Sequence, residues 1–254
     1  MRNLTVLVLA GGLGKRMKST IPKVLHKIND KSILSNILIK VNKLENVFIK
    51  VVVGKYHQLI KETLKDEIPN IESNLEYIFQ EYSLGTGHAL LCSIPNLRTL
   101  NGNILILNGD APLITISTLT NMINTFNQNS IYSGLIASIT PDSPKGYGRL
   151  YCHDDTVLKI VEEKDCTEEQ REIKNVNAGI YLFDNNTLMK YLNKLNNKNA
   201  QKEYYLTDMI EILGNYQHKI LKYHIENPNE LININNPEQL DIAKQLLKKF
   251  KELK

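Results

Sequence analysis

The sequence has 254 residues, of which 42% are hydrophobic and 23% are charged, and its formal net charge is +4 at pH 7. This length suits one α/β domain or two small ones, and so slight a charge gives no support to a nucleic-acid or membrane partner. No apolar run approaches the roughly 20 residues of a membrane span, and no apolar leader precedes the first predicted strand, so we expect a cytoplasmic protein. The widely spaced Cys92, Cys152 and Cys166 exclude the usual zinc spacings and argue against a disulfide framework.

The first predicted strand, residues 5–10, leads directly into a glycine-rich basic loop that extends to about residue 31. A short, continuous apolar run is typical of a strand buried on both faces, and glycines let a backbone approach a phosphate closely. The loop matches neither a Walker motif nor a dinucleotide fingerprint, because Arg16 follows Lys15 and no glycine lies near Met17. A triphosphate site is the functional interpretation, and an ordinary turn with solvated lysines is the structural alternative.

Strand-like and helix-like segments alternate up to about residue 140, which is typical of an α/β sheet. The predicted strands are 5–10, 48–53, 75–79, 104–107 and 132–139, and the predicted helices are 32–44, 56–64, 87–93 and 117–126. After a proline-rich turn we predict strands at 149–152, 157–162 and 178–183 and helices at 186–195 and 237–254. We therefore expect a nucleotide-binding half, about 1–140, and a substrate-binding half, about 141–236, that share one sheet.

Two stretches of the first half carry candidate ligand groups. Asp110 follows the predicted strand 104–107, and a carboxylate at the carboxyl end of a buried parallel strand lies where open α/β sheets bind ligands. Its hard oxygens suit Mg²⁺, although a turn-forming Gly-Asp pair explains the same residues. Gln80 begins a loop between a strand and a helix, and its amide suits the edge of a pyrimidine base. The alternative there is a plain connection with Thr86 as the helix N-cap.

The second half carries a polar series at 146–149, 161–165 and 175–179. Glu and Asn side chains beside flexible glycines suit the hydroxyl and amide groups of a sugar, and Lys164 suits a phosphate. Each segment taken alone also has an ordinary interpretation as a turn or as surface charge.

Together these motifs form a resemblance to a known family. The Leu-Ala-Gly-Gly-x-Gly-x-Arg run at 9–16, with Pro-Lys-Val-Leu-His at 22–26, resembles the signature of the sugar-1-phosphate nucleotidylyltransferases. The segments at 84–89, 109–114, 146–149, 160–165 and 199–208 resemble, more narrowly, the uridylyltransferase domain of bacterial bifunctional N-acetylglucosamine-1-phosphate uridylyltransferases. The similarity runs in order from about residue 4 to about residue 243.

The resemblance implies a Rossmann-like nucleotide-diphospho-sugar transferase fold, with a mixed, mostly parallel sheet flanked by helices in a single domain. It implies UTP and N-acetylglucosamine 1-phosphate as substrates and Mg²⁺ as cofactor. Arg16 and Lys23 are then the catalytic cations, and Asp110 and Asn235 the metal ligands. The implied nucleotide-binding residues are Leu9, Ala10, Gly11, Gly12, Gly14, Arg16, Lys23, Gln80, Gly85, Thr86 and Asp110. The implied sugar-phosphate-binding residues are Gly148, Glu162, Asn177, Tyr205 and Thr207.

The chain departs from the family pattern at Ser83, Ala178 and Asn233, where Gln, Thr and Gly are usual. The family's bacterial members continue into a left-handed β-helix that carries the acetyltransferase, and we expect neither that domain nor acetyl transfer here. Two other functions stay open. One is transfer to another sugar 1-phosphate or from another pyrimidine triphosphate, and the other is a non-catalytic nucleotide or sugar sensor on the same fold. The sequence predicts no oligomeric state.

Overall fold

The structure, a computed structural model, describes residues 3–12 and 14–252. Leu13 of the glycine loop and the last two residues of the predicted C-terminal helix lie outside the described residues. The side chains of Lys15 and of residues 249–252 lie outside them as well.

The described residues form alternating strands and helices. The strands are β1 Leu4–Leu9, β2 Lys27–Ile28, β3 Lys31–Ser32, β4 Val47–Val53, β5 Leu75–Phe79, β6 Asn103–Asn108, β7 Tyr132–Ile139, β8 Arg149–His153, β9 Thr156–Val161, β10 Val176–Asp184 and β11 Lys219–His224. The α-helices are α1 Ile33–Val41, α2 His57–Glu67, α3 Pro69–Glu72, α4 Thr86–Leu97, α5 Ile116–Gln128, α6 Glu168–Arg171, α7 Asn185–Tyr191, α8 Asp208–Asn215 and α9 Pro237–Glu252.

One large sheet has the strand order β5-β4-β1-β6-β10-β7-β11-β9-β8, and β2 pairs with β3 in a separate hairpin. Strands β5, β4, β1 and β6 are parallel, whereas β10 is antiparallel to both of its neighbours, β6 and β7. Only β9 and β10 run against the other strands of this sheet. The predicted α/β architecture with a mixed, mostly parallel sheet is therefore confirmed.

Side chains of the central strands alternate between two apolar layers, as the pleat of a strand requires. Val6 and Val8 of β1 pack in the layer that α1, α2, α5 and α9 cover. Leu7 packs in the opposite layer, beneath α4, α7 and α8. The continuous apolar run of β1 is thus explained by helices on both faces of the sheet.

Some observed elements differ from the predicted ones in their bounds, and others were not predicted. Helix α4 runs through Pro95 to Leu97, four residues beyond its predicted end, because Leu97 is fully buried. Helix α8 and strand β11 escaped prediction, although the apolar spacing of α8 is a usable helical signal. The described part of the glycine loop contains two 3₁₀ turns and leads into the β2–β3 hairpin. All three cysteines are free.

Candidate active site

A cavity of about 390 Å³ opens at the carboxyl ends of β1 and β6. It is lined by the predicted nucleotide-binding residues Leu9, Ala10, Gly11, Gly12, Arg16, Lys23, Gln80, Gly85, Thr86 and Asp110, and by the predicted metal ligand Asn235. The lining also includes Val24, Ser83, Ala89, Asn108 and Glu203, which the sequence did not assign to this site. Gly14 is the one predicted nucleotide-binding residue outside the lining. The structure therefore brings together groups that are far apart in sequence.

The cations and the oxygen ligands of the cavity are in direct contact. Lys23 Nζ lies 2.5 Å from Asp110 Oδ2 and 2.9 Å from Asn235 Oδ1. Arg16 Nη2 donates to the same Asn235 oxygen at 2.9 Å. The side chains of Lys23 and Asp110 are each only 15% exposed, so their charges are less screened than those of a surface pair. Two cations beside one carboxylate leave this end of the cavity suited to a polyanion.

The same oxygens fit a divalent cation. Asp110 Oδ1 is buried and has no hydrogen-bond partner among the described residues, while the other Asp110 oxygen and the Asn235 oxygen both accept from Lys23. Among the described residues no group of three or more His, Cys, Asp or Glu side chains surrounds a possible metal position. A site with two protein oxygens is the kind that hard cations occupy when substrate phosphates and waters complete the shell.

Two glycines make the close packing of the loop possible. Gly14 has φ of +60°, and a Cβ built on it would lie 2.6 Å from Lys23 Cβ. Gly14 thus acts on the site by leaving room for Lys23, although it does not line the cavity. A Cβ on Gly11 would lie 2.6 Å from Gln80 Oε1. Any larger residue at either position would displace a side chain of the cavity.

Gln80 and Thr86 are fixed by hydrogen bonds at one end of the cavity. Gln80 is buried, and its Nε2 lies 3.2 Å from the Gly85 carbonyl oxygen and 3.1 Å from His88 Nδ1. Thr86 Oγ1 accepts from the Leu206 backbone N–H at 3.2 Å. The sequence alternative for Thr86 is wrong, because Gly85 occupies the N-cap position and Thr86 is the first residue of α4.

Four of the five predicted sugar-phosphate-binding residues are linked by hydrogen bonds in the second half. The Asn177 N–H donates to the Gly148 carbonyl at 2.8 Å, and Thr207 Oγ1 donates to Glu162 Oε1 at 2.8 Å. A Cβ on Gly148 would lie 3.5 Å from Glu162 Oε2, so the two pairs adjoin. We call these four residues the polar cleft. Tyr205 is buried, and its hydroxyl donates to Asp165 Oδ2 at 3.1 Å.

Burial and neighbouring carboxylates perturb the acids around the polar cleft. Burial raises the pKa of Glu162, and the negative charges of Asp165 and Glu203 add to the effect, while the Thr207 hydroxyl opposes it. Burial also raises the pKa of Asp208 to about 6, helped by the charges of Glu162, Glu211 and Asp165. Such displaced values arise where carboxylates share a poorly solvated space.

Sequence comparison places the chain in a family. A family model described as "Nucleotidyl transferase" matches residues 5–252. The chain belongs to the nucleotidyl transferase family. The "Bifunctional protein GlmU" of Clostridium acetobutylicum is 41% identical over 248 residues, which are 97% of this chain and 53% of that protein. The chain therefore spans about half the length of that relative. A "Probable UDP-N-acetylglucosamine pyrophosphorylase" of Acanthamoeba polyphaga mimivirus is 39% identical over 249 residues, covering 96% of each chain.

Solved structures confirm the fold of this family member. A UDP-glucose pyrophosphorylase complexed with UDP-glucose superposes with a TM-score of 0.73 at 17% identity, covering 98% of this chain and 99% of the other. A putative glucose-1-phosphate thymidylyltransferase from Bacillus anthracis gives a TM-score of 0.77 at 17% identity, with 96% and 94% covered. The predicted Rossmann-like nucleotidyltransferase fold is confirmed. Among the described residues no helix is long and apolar enough to cross a membrane.

The raised pKa of Asp208 predicts how stability changes with pH. Its carboxyl binds a proton in the folded state up to about pH 6 but only up to about pH 3.8 when unfolded. The folded state therefore holds more protons in this window, and the contribution of Asp208 to stability falls as the pH rises through it. We expect the unfolding free energy of D208N relative to the native chain to rise between those pH values, by at most about 1.4 kcal/mol per pH unit.

Urea unfolding at several pH values from about 4 to 7 measures this difference. D66N is the matched control, because Asp66 is an exposed residue of α2, and its difference from the native chain should stay flat. A difference for D208N that does not change with pH would contradict the raised pKa of Asp208 in the folded state.

Proposed function

We propose that the chain transfers UMP from UTP to N-acetylglucosamine 1-phosphate and releases pyrophosphate. The observation that carries this proposal is the contact of Lys23 with Asp110 and Asn235 inside a glycine-lined cavity at the strand ends. Such a site meets the main demands of nucleotidyl transfer, which are a phosphate cradle, fixed cations and oxygen ligands for a metal. The mimivirus relative aligns over nearly its whole length, and its name supports uracil as the base and N-acetylglucosamine as the sugar.

In this proposal the nucleotide occupies the cavity that the glycine loop and Gln80 line. Backbone N–H groups of Gly11 and Gly12 cradle the phosphates, and Arg16 and Lys23 neutralise their charge. Beside Gly11, the Gln80 amide reads the uracil edge, and Gly85 and Thr86 border the base and ribose. Ser83 lies in the lining where the family usually has Gln, so it also borders the base region.

The sugar phosphate occupies the polar cleft. Its hydroxyl and acetamido groups meet the Glu162 carboxylate and the Asn177 amide beside the Gly148 backbone. Thr207 orients Glu162 through their 2.8 Å hydrogen bond. Tyr205 fixes the turn that follows Glu162, because its hydroxyl donates to Asp165. Asn108 links the two sites, since it lines the nucleotide cavity and its side chain packs against Gly179, two residues after Asn177.

We propose Mg²⁺ as the divalent cation, held by Asp110 and Asn235. Both supply hard oxygens, and a cation with two protein ligands and substrate phosphates is the usual arrangement for Mg²⁺. When bound, Mg²⁺ supplies positive charge that offsets the repulsion between the two phosphate-bearing substrates. Lys23 Nζ contacts an oxygen of each of these two residues.

In this reaction the protein has to position the two substrates and to neutralise their negative charge. A sugar 1-phosphate is ionised near neutral pH, so its oxygen attacks the α-phosphorus of UTP without a general base. The obstacle is the approach of one polyanion to another. Arg16 and Lys23 lower this obstacle by neutralising negative charge that develops as pyrophosphate leaves in line. We also propose a cytoplasmic location, where nucleoside triphosphates are available.

A substrate panel tests the proposal. We expect pyrophosphate release with Mg²⁺, UTP and N-acetylglucosamine 1-phosphate at a higher kcat/KM than with any other pairing of a nucleoside triphosphate and a sugar 1-phosphate. A different best pair would keep the chemistry and overturn the specificity. UTP binding without release from any pair would favour the sensor function.

Removal of Lys23 tests the assigned role of the cation. The K23M variant loses its positive charge at the transferring phosphate, and we expect kcat to fall on the order of 10²–10³-fold, as for the loss of one oxyanion donor. K65M is the control, because Lys65 is exposed on α2. Steady-state pyrophosphate release measures both variants. A kcat for K23M within threefold of the native value would contradict the role.

A further inference from the structure

Arg149 is a charged residue in the core of the second half. It is the first residue of β8 and only 2% exposed, and it stands among the largest fully buried side chains. Taking a guanidinium out of water costs several kcal/mol unless its charge and donors are satisfied. The partners of Arg149 therefore indicate what the buried charge does.

Three separate segments are held by this one guanidinium. Nη1 forms an ion pair with Glu163 Oε2 at 2.6 Å and also donates to the Tyr147 carbonyl. Nη2 donates to the Arg171 carbonyl at 3.3 Å. Arg149 thus ties together the loop before β8, the turn after β9 and the end of α6. A planar fork of donors can do this, whereas a lysine ammonium or an apolar side chain cannot.

Glu163 is the charged partner of Arg149. Its Oε2 atom forms the ion pair with Arg149 Nη1, and the Gly146 backbone N–H also stabilises the charged carboxylate. Burial alone would raise the pKa of Glu163, but these hydrogen bonds and the positive charges of Arg149 and Arg171 lower it below its ordinary value. Glu163 is therefore ionised at neutral pH and carries the charge that the ion pair with Arg149 requires.

Two of the three segments that Arg149 joins, the loop before β8 and the turn after β9, carry or adjoin residues of the polar cleft. Gly148 lies between Tyr147 and Arg149, and Glu162 directly precedes Glu163. The Gly148 carbonyl accepts from Asn177 at 2.8 Å, and the strand partners of Arg149 are Val161 in β9 and Val176 in β10. Gly148 is therefore next in sequence to Arg149, Glu162 is next to its ion-pair partner Glu163, and Asn177 is next to its strand partner Val176.

We propose that the Arg149–Glu163 ion pair is a positioning device that sets the geometry of the polar cleft for the sugar phosphate. Neither residue touches the substrate in this scheme, so both are positioning residues. The inference rests on the proposed function and deepens it. The inference predicts different effects on the two substrates, because the polar partners given for Arg149 among the described residues are Glu163, Tyr147 and Arg171, none of which lines the nucleotide cavity.

E163Q tests this inference. The variant keeps the size of the side chain but removes the charge that anchors Arg149. We expect KM for the sugar phosphate to rise on the order of tenfold, since small misplacements of binding groups are costly, and KM for UTP to stay within twofold. R149K, which keeps the charge but lacks the fork, should show the same split between the two KM values.

The control is E168Q. Glu168 pairs with Arg171 at 2.5 Å, but its side chain is 93% exposed. The variant therefore removes the same charge from the same region without disturbing Arg149. Both KM values of E168Q should match those of the native chain, which would exclude a general electrostatic effect.

Amide hydrogen exchange gives a readout independent of turnover. We expect residues 146–150 and 175–179 to exchange faster in E163Q than in the native chain, and not in E168Q. Equal rises of both KM values, or unchanged KM values with unchanged exchange, would overturn the inference. If the native chain turns over no substrate pair, the proposed function fails, and the exchange rates still decide whether the ion pair positions the cleft.

Discussion

The contact between Lys23 and the oxygens of Asp110 and Asn235 is the interaction on which the candidate active site depends. It joins the glycine loop, the end of β6 and the segment before α9. In sequence, Asp110 is 87 residues and Asn235 is 212 residues from Lys23. The ammonium compensates a carboxylate that is largely withdrawn from water, where an uncompensated charge would be costly. The same arrangement leaves Arg16 and Lys23 as fixed cations beside oxygens that suit a metal.

The position of β10 brings the two sites together. This strand comes from the second half of the sequence but pairs antiparallel between β6 and β7, which come from the first half. Asn177 at the start of β10 therefore lies near the end of β6, where Asn108 packs against Gly179. The Arg149–Glu163 ion pair then holds the loops that face this strand. In the proposed account, charge neutralisation therefore relies on the Lys23–Asp110 ion pair and sugar recognition on the Arg149–Glu163 ion pair.

Much of this could be predicted from the sequence, because its strongest signals are local. Strands β5 and β7 have their predicted bounds, and the apolar run of β1 correctly indicates burial on both faces. The spatial meeting of Arg16 with Asn235 could not be inferred from spacing, since 219 residues separate them. Arg149 was visible only as part of a Gly-Tyr-Gly-Arg motif, and its burial depends on α6 and β9, which pack around it.

Isotope labelling of the sugar phosphate tests the central claim, direct transfer of UMP to its oxygen, most directly. The substrate is N-acetylglucosamine 1-phosphate with ¹⁸O in the non-bridging phosphate oxygens, incubated with UTP and Mg²⁺. Attack on the α-phosphorus predicts that the nucleotide sugar keeps all of the label, including the oxygen between its two phosphorus atoms, and that pyrophosphate carries none. Label in pyrophosphate or in free UMP would contradict the account.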